Sequence, residues 1–173
     1  NSSASSGGGI YLEFSDATLE YCAIVGNRAF VSGGGIECKW SNPTLSFCAI
    51  ANNTPDGINL DGETARILGT VAVVSDSLNG EGTFLIEPDA TLRMQNALIT
   101  GDLRVEGLGQ IQVPLAKKLT VAKNATIELT ADEQPDMQGT IYCDGILVLR
   151  DAAFLTRTAA NVTRAVFRNN AAA

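Results

Sequence analysis

Short apolar runs separated by turn-forming residues dominate the pattern along this chain. Residues 10–12 and 19–24 are typical, because each run spans a few positions and is bounded by glycine, serine, aspartate or asparagine. Runs of this length with apolar residues at alternate positions predict strands, whereas a helix needs an uninterrupted period of 3.6 residues. The same rhythm continues through the rest of the sequence. The pattern therefore predicts an all-β fold.

The first two strand-and-turn units repeat each other. Residues 6–28 align with residues 32–54 at an offset of 26 without a gap, and 12 of 23 positions are identical. A unit of two or three short strands cannot bury an apolar face by itself. Stacking the units about 4.8 Å apart lets each strand hydrogen-bond to the strands above and below it. We therefore predict a right-handed parallel β-helix, or β-solenoid, of about seven coils of ~23–26 residues each.

One continuous solenoid is expected to span the whole chain. Residues 165–171 (AVFRNNA) overlay the segment that follows Cys22, so the last residues are expected to begin another regular coil. Because the sequence starts and stops at the same phase of the repeat, we expect it to be part of a longer solenoid. The expected segments are regular 26-residue coils over 1–56, less regular coils over 57–160, and the start of a further regular coil over 161–173.

The repeated motif GGGI…TL..C.I..N resembles the coils of polymorphic outer-membrane proteins and other surface proteins of the pectin-lyase-like β-helix superfamily. The motif occupies residues 7–27 and 33–53. The resemblance implies an extracellular or cell-surface β-helix, such as an adhesin. Because lyases and glycosidases with this fold work with carboxylates on an outer sheet face, it also implies an enzymatic alternative.

Composition excludes several classes of function. The chain has 12 basic and 19 acidic residues, a net charge of −7 and no histidine. An acidic chain with dispersed basic residues argues against nucleic-acid binding, and the lack of histidine removes the commonest general base and metal ligand. No apolar run approaches the ~20 residues of a membrane span. We therefore expect no cofactor, no nucleic-acid partner and no membrane insertion.

Equivalent positions of the two repeats predict ladders of stacked side chains. The glycines are expected at turns that need a positive φ, and the asparagines in an amide ladder at a coil corner. The cysteines are expected to point inward, and their stacking leaves both a reduced pair and a disulfide open. The predicted ladder residues are Gly9 and Gly35, Ile10 and Ile36, Cys22 and Cys48, and Asn27 and Asn53.

Aromatic residues also repeat at the offset of 26, which predicts stacking of Tyr21 with Phe47 and of Phe14 with Trp40. Tyr21 and Phe47 alternate with the inward cysteines, so we expect them to face outward. An outward aromatic stripe that includes Trp40 is a candidate contact for a glycan or a neighbouring subunit. The alternative is a packing cluster under a loop.

Four sequons for N-glycosylation occur in the chain, at Asn1, Asn52, Asn124 and Asn161. A glycan on such an asparagine is bulky and needs a surface position. We take Asn52, Asn124 and Asn161 as candidate glycosylation sites of a surface protein.

Carboxylates supply the candidate catalytic groups. A glycosidase needs two carboxyl groups roughly 5–10 Å apart, and stacked coils offer such pairs. The candidates are Glu13, Glu37, Asp61 and Glu63 on adjacent coils, Asp16 and Glu20 within one coil, and Asp132, Glu133 and Asp136 as a loop that could hold a hard cation. Acidic residues scattered over a solenoid are more commonly a solvated outer face.

A non-enzymatic function is the leading hypothesis from the sequence. We expect a rigid structural or adhesive rod, or a filament or sheath subunit, that assembles by coil stacking. Its expected partners are other copies, further coils of the same chain, or cell-surface glycans. The alternative is a polysaccharide lyase, a glycoside hydrolase or a glycan-binding module that uses the outer face.

Overall fold

Each strand of this protein pairs in parallel with a strand of the neighbouring coil. The computed structural model describes residues 1–114, 116–131, 136–137, 140–150, 159–162 and 165–168, with side chains described for 1–114, 116–128 and 141–148. All regular secondary structure within these residues is β-strand. The fold is a parallel β-solenoid of about six turns, against about seven expected from the sequence. Residues 151–158 lie outside the described residues.

The strands are short, as the bounded apolar runs predict. The first eleven are β1 (Ser2–Ser3), β2 (Ile10–Glu13), β3 (Thr18–Glu20), β4 (Ala23–Val25), β5 (Arg28–Ala29), β6 (Ile36–Lys39), β7 (Thr44–Ser46), β8 (Ala49–Ala51), β9 (Ile58–Leu68), β10 (Thr70–Val74) and β11 (Ser77–Ile86). The others are β12 (Thr91–Gln95), β13 (Ala97–Ile99), β14 (Asp102–Gly107), β15 (Gln110–Val113), β16 (Lys118–Val121), β17 (Thr126–Ala131), β18 (Asp136–Met137), β19 (Thr140–Cys143), β20 (Ile146–Arg150), β21 (Ala159–Val162) and β22 (Ala165–Arg168).

Stacked faces surround the core. Sheet 1 has 14 strands in two columns, because the long strands β9 and β11 run around the corner between the columns. Column A contains β2, β6, β9, β11, β13, β16, β19 and β21, and column B contains β3, β7, β9, β11, β14, β17, β20 and β22. Sheet 2 has six strands, β4, β8, β10, β12, β15 and β18, and sheet 3 contains β1 and β5.

Residues of the same type lie directly above one another in these columns. Ile10 pairs with Ile36, and Ile36 pairs with Ile58. Alternate residues of a strand point to opposite faces, so each coil contributes a layer of inward aliphatic side chains. These layers join into one buried apolar cluster along the described solenoid, and Ile36 within it has no exposed surface.

The length of the coils varies along the chain, from a step of 26 residues between β2 and β6 to 19 between β12 and β15 and 24 between β14 and β17. Hydrogen bonds join the first two coils at a step of 26 residues, whereas those between the next two span 22 or 23 residues. The longer step comes from the glycine-rich loop that precedes β6. Between the second and third coils the step falls by four residues at this corner, from 26 at Arg28 and Thr54 to 22 at Ile36 and Ile58, and the columns stay in register.

The end of the chain differs from the predicted overlay. Strand β22 pairs with β20 in column B, whereas the segment that follows Cys22 forms β4 in sheet 2. Residues 165–168 therefore occupy a different column from the segment that they overlay, and the start of a further regular coil over 161–173 stays a prediction. Residues 169–173 lie outside the described residues.

The glycine triplets are needed for two different reasons. Only the first glycine of each triplet has a positive φ, at +68° for Gly7 and +58° for Gly33. At Gly9 a Cβ would lie 2.6 Å from the carbonyl oxygen of Gly35, and at Gly35 it would lie 2.3 Å from that of Gly57. The ladder of Gly9 and Gly35 is therefore confirmed, but close approach between coils requires it rather than turn geometry.

We expect Gly35→Ala to lower the free energy of unfolding by about 2–3 kcal/mol, because the new methyl group must push two coils apart. Urea unfolding followed by circular dichroism measures this change.

Gly26→Asn is the matched control. A Cβ at Gly26 meets nothing within 4 Å, and the same corner of the next coil already holds Asn52 at φ +54°. This substitution should leave stability nearly unchanged. Equal effects of the two substitutions would contradict the close-approach explanation.

Candidate functional site

The predicted asparagine ladder is confirmed at the corner that follows sheet 2. Asn27 and Asn53 are both buried, and Asn53 Oδ1 accepts hydrogen bonds from the backbone N–H and Nδ2 of Asn27 at 2.9 and 3.1 Å. The terminal amino group of Asn1 donates to Asn27 Oδ1 at 3.2 Å. Each amide therefore hydrogen-bonds to both neighbouring coils.

Asp76 extends this ladder into the third coil, and sequence analysis missed it. Asp76 Oδ2 accepts hydrogen bonds from the backbone N–H and Nδ2 of Asn53 at 3.0 and 2.8 Å, and Oδ1 accepts from the N–H of Ser77 at 2.9 Å. A carboxylate only accepts hydrogen bonds. It therefore suits the last position of the ladder, because the next coil has Ala97 there, whose side chain offers no acceptor. The signal was available as an Asp-for-Asn exchange at a shortened offset of 23.

The two repeat cysteines pack toward the core as free thiols. Cys48 is buried, Cys22 is half-buried against the apolar cluster, and the four cysteines form no disulfide. The thiol of Cys22 donates to the Glu20 carbonyl at 3.3 Å, and the thiol of Cys48 donates to the Leu19 carbonyl at 3.3 Å. The inward ladder is confirmed, and burial raises the pKa of the Cys48 thiol.

Two stacked aromatic pairs lie on the surface of the first two coils. The ring centroids of Phe14 and Trp40 are 4.8 Å apart, and those of Tyr21 and Phe47 are 5.1 Å apart. The four side chains are between 49% and 75% exposed. The predicted stacking and outward direction are therefore confirmed. We call these four residues the aromatic platform.

The backbone of the aromatic platform is strained. All four residues have φ between +48° and +51°, a region that costs a bulky residue on the order of 1–3 kcal/mol. In the third coil the same two corners are Gly62 and Gly69, with φ of +90° and +61°. The fold therefore accepts glycine at these corners, and the aromatic side chains are not needed to make the turns.

Hydrogen bonds from neighbouring coils fix the corner beside Trp40. The N–H of Trp40 donates to Glu63 Oε1, which lies one coil below. The N–H of Asn42 donates to Asp16 Oδ1 at 2.7 Å, and the N–H of Thr64 donates to Asn42 Oδ1 at 3.1 Å. This side-chain ladder pre-organises the platform, and sequence analysis missed it.

The structure separates the predicted catalytic carboxylates. Glu13 is exposed and pairs in register with Lys39, whereas Glu37 is only 1% exposed. Glu63 is also buried, and its Oε2 accepts the N–H of Asp61 at 2.6 Å. Glu13 and Glu37, two of the candidate catalytic carboxylates, therefore do not share a solvent-facing surface.

An outward acidic column lies on sheet 1 instead. Asp61, Glu81 and Asp102 are register partners on β9, β11 and β14, and all three are exposed. An open surface cavity of about 340 Å³ beside them includes Glu81, Asp102 and Arg104 in its lining. Arg104 lies 3.7 Å from the carboxylate of Glu128.

Metal-site geometry does not occur in the described residues, where no three cysteine or carboxylate side chains converge. Of the predicted cation loop, Asp132 and Glu133 lie outside the described residues, and the Asp136 side chain does too. The described residues also contain no helix long and apolar enough to cross a membrane.

Three carboxylates are buried near the glycine-rich loop. Burial raises the pKa of Glu37, Asp56 and Asp76 above their ordinary values. Neighbouring negative charge adds to this effect, from Asp56 on Glu37 and from Asp76 on Asp56. Hydrogen bonds from Asn59 to Glu37 and from Ser77 to Asp56 partly offset the burial.

These raised pKa values predict greater stability at mildly acidic pH. The folded state binds protons more tightly than the unfolded chain, so the free energy of unfolding rises as pH falls from neutral toward ~4. We expect the free energy of unfolding to be higher at about pH 5 than at about pH 7.5. Urea titrations at the two pH values measure it.

Glu37→Gln isolates one of these groups. This substitution removes a buried charge but keeps an oxygen for Asn59, so it should stabilise the protein at neutral pH and reduce the pH dependence. Glu13→Gln, an exposed acid on the preceding coil, is the control. An unchanged pH profile in Glu37→Gln would show that Glu37 does not contribute.

The candidate glycosylation sites differ in their surroundings. Asn52 is exposed at a corner with φ +54°, and Asn124 is exposed between β16 and β17. Asn161 belongs to β21, and its side chain lies outside the described residues. Asn52 and Asn124 therefore have room for a bulky modification.

Comparison of the chain with family models, curated proteins and solved structures finds no match. Function therefore has to be argued from the solenoid and its surfaces alone.

Proposed function

We propose that this protein is a non-enzymatic structural or adhesive β-solenoid that acts as a rigid rod at a cell surface and extends by coil stacking. The main support is the continuity of pairing, since each inner coil of the described residues pairs its backbone groups with the coils on both sides. The resemblance of the repeats to those of polymorphic outer-membrane proteins and other pectin-lyase-like surface proteins adds to this argument. A rod of this type suits a stalk, an adhesin or a filament subunit.

The first coil supports the stacking part of this proposal. Among the described residues, strand β4 pairs with β8 alone, and an open cavity of about 320 Å³ beside it includes Ile10, Ala23 and Ile24 in its lining. An apolar surface bordered by unpaired strand groups is a template for another strand. A further coil of the same chain or a coil of another copy fits this surface.

We expect Ala23→Pro to block assembly without unfolding the coil. The N–H of Ala49 donates to the carbonyl of Cys22 in the coil above, and Ala23 is the register partner of Ala49 in β4, which pairs only with β8. Proline at position 23 removes the N–H of Ala23, which points away from β8 and makes no hydrogen bond to it. Edge positions of this kind tolerate proline. Sedimentation velocity and electron microscopy measure the assembled fraction.

Ala49→Pro is the destabilising control, because it removes an internal bond and should cost about 3 kcal/mol or more. Particles of uniform short length from the unchanged protein would contradict the proposal. Assembly by Ala23→Pro to the same extent would contradict it as well.

Surface location predicts glycosylation in a host that can perform it. We expect secretion through a eukaryotic pathway to add N-glycans at Asn52 and Asn124, because both side chains are exposed. Mass spectrometry after deglycosylation measures occupancy, with Asn52→Gln and Asn124→Gln as controls. Complete secretion without modification at either site would contradict this expectation.

A polysaccharide-active enzyme is the second candidate. The exposed column of Asp61, Glu81 and Asp102 favours it, because stacked carboxylates beside an open cavity are the arrangement that glycan cleavage needs. Turnover of acidic or neutral glycans that is lost in both Glu81→Gln and Asp102→Asn would establish this candidate against the structural one.

A further inference from the structure

A groove runs along the solenoid axis where sheet 1 turns from column A to column B. Its open cavity of about 340 Å³ is lined from Gly62 on β9 to Thr126 on β17, and so it spans the four stacked strands β9, β11, β14 and β17. Alternate residues of a strand point to the same face, so two rows of outward side chains border the groove. The rows include Glu81 and Asp102 on one side, and Thr83 and Arg104 on the other.

The floor of the groove is low because its residues lack outward side chains. Gly62 and Gly82 have no side chain, and a Cβ on Gly62 would meet nothing within 4 Å. On β14 the next position is Leu103, whose side chain is buried in the core. The groove therefore begins where the stack of Phe14 and Trp40 ends.

Trp40 forms the upper end of this groove. Phe14 covers one face of its ring at a centroid distance of 4.8 Å, yet Trp40 is still 58% exposed. Gly62 occupies the corner one coil below, at the same offset of 22 residues that joins Cys38 to Leu60. The second face of the ring therefore points toward a corner without a side chain. This face lies within the stack of coils, away from the open end of the first coil.

We propose that the groove binds an extended neutral glycan, with one sugar ring stacked on the open face of Trp40 and the following rings along Glu81 and Asp102. This proposal names a ligand site for the adhesive rod, and so it rests on the proposed function. A sugar ring has an apolar face that packs on an aromatic ring, and its hydroxyl groups form strong hydrogen bonds with carboxylates.

Hydrogen-bond donors and acceptors are both available in the groove. Among the described residues, Glu81 and Asp102 have no ion-pair partner, so their oxygens are free to accept from sugar hydroxyls. Arg104 lies 3.7 Å from the carboxylate of Glu128 and 3.9 Å from that of Glu106. These contacts balance its charge, and a guanidinium with five N–H groups keeps others for a ligand. A ligand whose hydroxyls both donate and accept therefore matches the lining.

The spacing of the coils favours a glycan over a peptide. Glu81 and Asp102 are register partners in adjacent coils, about 4.8 Å apart along the axis. A β-1,4-linked glycan repeats its ring at a comparable interval, so successive rings meet successive coils. An extended peptide repeats a side chain on one face every two residues, about 6.6 Å, and so loses register with the coils.

Charge in the groove favours a neutral glycan over a polyuronate. The lining contains three carboxylates, Glu81, Asp102 and Glu128, and one cation, Arg104. A sugar acid in the groove would therefore meet like charge, which is costly where water is displaced.

Fluorescence titration tests the proposal, because Trp40 is the single tryptophan of the chain. The probes are cellohexaose and β-1,4-linked mannohexaose. The matched control is β-1,4-linked hexamannuronate, which differs from mannohexaose only by a carboxylate at C6 of each sugar. We expect a saturable change of Trp40 emission with a neutral hexamer, and affinity about tenfold or more above that of hexamannuronate. Salt should leave the binding of the neutral hexamer nearly unchanged.

Calorimetry of variants locates the site. Trp40→Gly should weaken binding about tenfold while the protein stays folded, because glycine is unstrained at a positive φ. Phe30→Gly is the control, since Phe30 is 83% exposed but lies outside the groove. Glu81→Ala should weaken binding roughly tenfold, whereas Glu20→Ala removes an exposed carboxylate outside the groove and should bind normally.

Separate measurements distinguish failure of this proposal from failure of the proposed function. Ala23→Pro, which blocks assembly, should bind the neutral hexamer like the unchanged protein, because β4 belongs to sheet 2 and to the first coil. Three results would overturn the glycan site and leave coil stacking untouched. These are no binding of either neutral hexamer, equal affinity for hexamannuronate, and undiminished binding in Trp40→Gly. Cleavage of a hexamer, detected by mass spectrometry of the titrated mixture, would overturn it in favour of the enzymatic candidate.

Discussion

Parallel hydrogen bonding between coils is the constraint on which the whole structure depends. It places each residue directly above its counterpart in the next coil, so any side chain meets a partner of its own position rather than a neighbour in sequence. Asn27 lies against Asn53 and Phe14 against Trp40 for this single reason. Close approach of the backbones also excludes a Cβ at Gly35. Equivalent positions of the sequence repeat therefore become neighbouring positions in the stacked coils.

This constraint explains what could be predicted from the sequence. The all-β class, the parallel stacking, the amide ladder and both aromatic pairs followed from the identity of two repeats. The third coil lost that identity, and so the roles of Asp76 and Glu63 were missed. Both supply an oxygen to backbone or amide donors of the preceding coil. Such a role needs only an acceptor at the correct height, and sequence comparison across an offset that changes does not reveal it.

Burial was the second property that the sequence could not provide. Glu13 and Glu37 are the same type of residue, yet Glu13 is exposed and Glu37 is almost fully enclosed beneath the glycine-rich loop. Enclosed carboxylates and rings at a positive φ both oppose folding, and both occur in the first three coils. The regular aliphatic layers offset these costs. Within the described residues, the aromatic rings at a positive φ lie in the two coils with the clearest repeat, and the enclosed carboxylates lie mostly in the coil that follows.

The change of coil length at the corner before column A has a consequence for how such a chain tolerates variation. Between the first two coils the step is 26 residues, and between the next two it falls to 22 or 23, yet the aliphatic columns remain aligned. The corner before column A therefore tolerates a change in loop length, because residues inserted or deleted there do not alter the packing of the core. A longer loop or an engineered tag is therefore best inserted at that corner, where the length of the coil varies and the core packing stays the same.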